Sequence, residues 1–111
     1  MTKPALGIYF SVWTHQLRSL DDMAPIVAEA VGCPLVRSEE RGVAGDYTGA
    51  SFGIRLHFAV SPQNPAPPRS GTRYFLMGNS TLPEGTDVQW TDISAYISQL
   101  LTRQTGMTWD T

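Results

Sequence analysis

The chain has 111 residues, one cysteine and a formal charge of −2. That length suffices for a single domain (residues 1–111) with its own core, burying roughly 65% of the unfolded surface. A 41% hydrophobic and 16% charged composition is globular rather than disordered. The charge balance excludes the basic footprint of a general nucleic-acid binder, and Cys33 alone excludes an intramolecular disulfide or a thiolate zinc site.

The amino end, MTKPALGIYFSVW, joins one lysine to a short apolar run. No small-residue cleavage site follows it, and His15, Gln16 and Arg18 come directly after. Residues 5–13 therefore read as a first strand rather than a signal peptide, with Ile8, Phe10 and Val12 alternating against Tyr9, Ser11 and Trp13. No stretch approaches the ~20 apolar residues of a membrane span, so a cytoplasmic location is expected.

SLDDMAPIVAEAVGCP follows, with Met23, Ile26, Val27, Ala30 and Val31 at helical spacing. Asp22 is the expected N-cap, which places Pro25 inside the first turn, where its missing N–H costs little. Gly32 supplies the left-handed stop, and Pro34 lies just beyond it.

LVRSEE and DYTGASFGIRLHFAV read as two or three antiparallel strands joined at RGVAG, with Gly42 and Gly45 as positive-φ positions. Within residues 51–60, Phe52, Ile54, Leu56, Phe58 and Val60 point one way, and Gly53, Arg55, His57 and Ala59 the other. The first set is expected in the core, packed against Ile26, Val27, Ile97 and Leu100. Residues 61–72 hold four of the eight prolines and read as a surface loop.

RYFLMGN returns as a strand, broken up by Gly78, Asn79, Pro83 and Gly85. The last helix is expected to open near Thr91, with Asp92 at the positive end of its dipole. Ile93, Tyr96, Ile97, Leu100 and Leu101 form its stripe and Gly106 ends it, with Met107 and Trp109 as an apolar tail. The fold class expected is α+β: a mostly antiparallel sheet of four or five strands with both helices on one face.

The chemistry-bearing residues are few. Arg55 and His57 share a strand face, but no recognisable spacing supplies a third group to orient the imidazole, so a catalytic role has little support. His15, His57 and Cys33 lack the short spacing of a zinc site. GVAGDYTGASFG has no Lys-Ser/Thr pair and runs into a strand, which rejects a phosphate loop. No metal or cofactor is expected. Glu39, Glu40 and Asp46 cluster around a turn beside Tyr47, which reads either as a solvated hairpin tip or as an acidic docking site. With Arg55 and His57 these make six candidate partner-binding residues. Trp13 and Trp90, at element boundaries, are core residues or binding anchors.

Three stretches together carry a family resemblance: SLDDMAPIVAEAVGCPL, DYTGASFGIRLHF and TDISAYISQLLTRQTGMTW. The chain resembles small bacterial immunity proteins of the contact-dependent growth inhibition and polymorphic-toxin type. The matching positions are Tyr47, Gly53, Ile54 and Leu56, then Ile93, Tyr96, Leu100, Leu101, Gly106 and Trp109. The resemblance implies a non-enzymatic protein that binds one toxin domain, a nuclease by preference, and blocks its active site. It implies neither a nucleic-acid nor a membrane partner. The alternatives are a peptide-binding adaptor that works by strand addition, and a small acid–base enzyme using His57 and Arg55.

Overall fold

The computed structural model describes residues 3–40, 45–61 and 71–111. The elements run β1 (Ala5–Gln16), α1 (Leu20–Val31), β2 (Val36–Arg37), β3 (Tyr47–Ser51), β4 (Ile54–Val60), β5 (Thr72–Ser80), β6 (Val88–Asp92) and α2 (Ser94–Thr105). The six strands form one sheet in the order β2-β3-β4-β5-β1-β6. Every pairing is antiparallel except β1 with β6, which is parallel. The fold is thus α+β with a mixed six-stranded sheet, where four or five strands were expected.

Strand β6 is the unforeseen element. Thr91 and Asp92, expected to open the last helix, instead close this strand, in register with Ile8 and Tyr9. Helix α2 starts two residues later. Its backbone start, Ile93, offers no side-chain cap, and Asp92 serves instead, its Oδ1 accepting from Ser94 N (2.8 Å) and Ser94 Oγ (2.5 Å). Ser94 Oγ in turn accepts from Ser11 N at 3.0 Å, tying the helix start to β1.

Helix α1 also starts earlier than the Asp22 cap implied. Ser19 is the N-cap, its side chain accepting from Asp22 N at 3.1 Å, so Asp21 and Asp22 lie in the first turn, beside the positive end of the dipole. Pro25 therefore falls in the second turn, where its ring leaves the Asp21 carbonyl without a helical donor. Gly32 stops the helix at φ 68°, in the left-handed region, as expected.

Both helices cover the same sheet face. Phe10 and Val12 of β1, Leu56 and Phe58 of β4, and Tyr74 and Leu76 of β5 meet Met23, Ala24, Val27, Leu101 and Trp109. Gly78 belongs to this face because the Phe10 ring lies where a Cβ would project. Phe58 and Leu56 are buried as expected, and Ile54 packs at the core's edge. Phe52 is not in the core at all. It sits in the β3–β4 turn at φ 52° and is fully exposed, while Val60, near the far end of β4, is 42% exposed. In α2, Leu101 is fully buried, Leu100 only half, and Tyr96 is out in solvent.

Gly45 has the positive φ expected of it, whereas Gly42 lies outside the described residues. So does most of the proline-rich loop, residues 62–70. Among the described residues, no helix is long and apolar enough to cross a membrane.

Candidate functional site

Opposite the helices, no described element covers the sheet. Strand alternation and register put Tyr9, Ser11, Trp13 and His15 of β1 on this open face. Beside them stand Arg73, Phe75, Met77 and Asn79 of β5, then Arg55 and His57 of β4, with Ala59 buried at the same face. The parallel pairing adds Trp90 of β6, whose ring lies over Gly7 where a Cβ would otherwise project.

The rings on this face contact one another. Tyr9 meets Trp90 edge-on with centroids 6.3 Å apart, Trp13 meets His15 at 5.3 Å, and His57 meets Phe75 at 5.2 Å. The Arg73 guanidinium stands 4.3 Å from the Trp13 ring centroid, within cation–π range. Such contacts leave part of this surface in solvent: Tyr9 and Trp90 are each more than 40% exposed, as is Met77 beside them. Edge-to-face packing is worth about 0.5–1.5 kcal/mol per pair, enough to preorganise a surface without hiding it.

At the β4 side, Asp46 Oδ2 lies 2.8 Å from His57 Nε2. Asp46 is two residues before Thr48, which stands opposite His57, so the carboxylate reaches the imidazole diagonally on the same face. Its backbone is fixed as well, since its carbonyl accepts from Ser38 N at 2.7 Å. This corrects the expectation that nothing orients the imidazole. Arg55, exposed on the same strand, lines a groove of about 430 Å³ with Glu40, Thr48, Ala50, His57 and Thr81.

Four of the six candidate residues thus share one region: Glu40, Asp46, Arg55 and His57. Glu39 is exposed next to Glu40 and makes no ion pair among the described residues. Tyr47 is elsewhere. It pairs with Phe58 in the ladder and so faces the helices, where its hydroxyl donates to Asp21 Oδ1 at 2.7 Å. That hydrogen bond, ahead of desolvation and the Asp21 charge, holds its phenol above the usual tyrosine value. Strand β5 separates β4 from β1.

Sequence reasoning missed Arg73, Phe75 and Met77. The alternation of RYFLMGN was the available signal, since it sets these residues opposite Tyr74 and Leu76. The three tryptophans divide: Trp109 is buried in the core, Trp90 exposed, and Trp13 half-buried. Cys33 is a buried free thiol, its Sγ donating towards the Ala50 carbonyl at 3.4 Å. Among the described residues, no three His, Cys, Asp or Glu side chains come together as metal ligands.

No family model, no curated protein and no solved structure matches this chain.

Proposed function

We propose that this protein neutralises a bacterial toxin domain by docking it on the open face of the sheet. The observation that carries the reading is that face itself. It presents Tyr9, Trp13, Phe75, Met77 and Trp90, with Arg55, Arg73 and His57 among them, and no described element covers it. Aromatic side chains, Met and Arg are the residue types that interface cores favour, and Trp, Tyr and Arg are the usual hot spots. The resemblance to polymorphic-toxin immunity proteins supplies the partner class. Inhibition then follows from covering the toxin's working surface, with no chemistry required of this chain.

The test uses the polypeptide encoded by the gene directly preceding this one. A one-to-one complex of sub-micromolar affinity by calorimetry is expected, together with growth rescue on co-expression. Met77→Lys puts a charge at the centre of the open face and should weaken both. Absence of binding and of rescue by the unmodified protein overturns the reading.

One observation favours a second reading, a small acid–base enzyme. Asp46 orients the His57 imidazole as a catalytic carboxylate would, with the Arg55 guanidinium on the same strand face. Among the described residues, however, His57 makes no hydrogen bond to a hydroxyl, thiol or amine that it could activate. An enzymatic activity that survives purification and disappears in His57→Ala decides for this reading.

A further inference from the structure

The sheet has two edges, and they differ in kind. Strand β2 is only two residues long and carries Arg37, and short, charged edges of that sort resist added strands. Strand β6 is five residues long, with no proline, lysine or arginine. Its backbone is half used. Ala5 N donates to the Asp87 carbonyl and Ile93 N to the Tyr9 carbonyl, both at 2.9 Å, so Asp87, Gln89, Thr91 and Ile93 direct their peptide groups towards β1. Val88, Trp90 and Asp92 direct theirs outwards, and among the described residues these have no partner.

We infer that the outer edge of β6 takes up an extended, basic segment of a protein partner as a seventh strand. The open N–H and C=O groups of Val88, Trp90 and Asp92 supply the ladder. Charge selects the occupant. From residue 74 to residue 102 the chain has no Lys, Arg or His, while Glu84, Asp87 and Asp92 lie on β6 or just before it. Along β1 the nearest base is Lys3, ahead of the strand, while on the open face Arg55 borders a groove with Val88 and Trp90, and Arg73 borders one with Asp92. A second copy of the chain laid along this edge doubles its carboxylates and brings no base on β6 itself, its Arg55 and Arg73 lying on β4 and β5. A segment with lysine or arginine at alternate positions faces those same carboxylates favourably. Exposed Trp90, at the centre of the strand and on the same face as Asp92, offers its ring to the stems and cationic heads of those basic side chains.

The inference rests on the docking reading only for the source of the segment, and its test needs no toxin. The probe is a capped heptapeptide alternating Lys and Val, with a Glu–Val peptide as control. Amide hydrogen exchange is followed by NMR in labelled protein. In excess Lys–Val peptide, exchange at Val88, Trp90 and Asp92 should slow about tenfold or more, because outward amides gain acceptors. The Glu–Val peptide should leave them unchanged. Val88→Pro removes one outward donor at the first strand position, where proline is tolerated, and should reduce the effect. Glu84→Lys with Asp87→Lys, which leaves the β1 ladder intact, should reverse the peptide preference. Unchanged edge amides, or equal protection by both peptides, overturns the inference. Protection that rises with protein concentration alone assigns the edge to a second copy and overturns it too. Toxin binding that persists with no edge protection leaves the open-face reading standing.

Discussion

Asp46 Oδ2 and His57 Nε2 are 2.8 Å apart, and their side chains are 30% and 31% exposed. The contact ties the segment entering β3 to the open face of β4. A pair this wet contributes about 0–1 kcal/mol, so Asp46→Ala should barely move the urea midpoint. Partner affinity is the more sensitive readout. If the pair docks as a unit, a double-mutant cycle with His57→Ala should show coupling of about 0.5 kcal/mol or more. Strictly additive losses mean that the two residues meet the partner separately or not at all.

The α2 stripe separates into unequal members. Leu101 is fully buried among Val12, Phe58 and Trp109 in the core cluster, whereas Leu100 is half-buried. Leu101→Ala should therefore cost about 2–5 kcal/mol by denaturant unfolding, and Leu100→Ala clearly less. Equal losses at the two positions contradict the packing of this helix.

Local patterning carried the core strands and the middles of both helices, and it failed where pairing is non-local. VQWTD has only two apolar residues and pairs with β1, whose sequence lies at the far end of the chain. No local period reports such a parallel partner, so Thr91 and Asp92 read as a helix start. Phe52 continues the parity of Ile54 and Leu56, so alternation extended the strand through the turn. That turn was the missing datum. With two residues, Phe52 and Gly53, between the strands, Tyr47 falls opposite Phe58 and Thr48 opposite His57, which sends Tyr47 to the helices and Asp46 to the imidazole. The candidate site was legible as residue types; its grouping needed the register.

Acid and alkali should act through different residues. Tyr74 is buried, its hydroxyl donating to the Arg18 carbonyl at 2.5 Å, and burial raises its phenol above the ordinary value of 10.0. A raised native value favours the neutral form. Its stabilisation is therefore complete below pH 10 and lost as pH climbs through the native value. Tyr74→Phe should flatten the alkaline limb of a melting-temperature profile, leaving the part due to Tyr47, and cost about 1 kcal/mol at neutral pH for the lost hydrogen bond. Asp92 runs the other way. The Ser94 hydroxyl and then the Ser94 N–H lower its carboxyl below 3.8, so its stabilisation is present above that value and lost as pH falls through the native one. Asp92→Asn should shrink the acid-side loss, and an unchanged acid limb contradicts the capping role.

Phe52 breaks two local preferences at once. Its φ of 52° is in the left-handed region that non-glycine residues occupy at a cost, and its side chain is fully exposed. Gly53 follows at φ 73°, and two consecutive left-handed residues between paired strands make the hairpin turn for which Asn-Gly is the favoured sequence. Thr81 N donates to the Gly53 carbonyl at 2.8 Å, so β5 anchors the turn and leaves the Phe52 ring projecting from the end of the sheet. Phe52→Asn should relieve the backbone and stabilise the fold by about 1 kcal/mol. For a domain of this size the melting temperature should then rise by roughly 4 °C. An exposed aromatic at a strained position fits an anchor buried on binding, so the same variant should lose affinity for the proposed partner about tenfold or more. Opposite signs in the two measurements identify a binding residue. A stabilised variant with unchanged affinity places Phe52 outside the proposed interface.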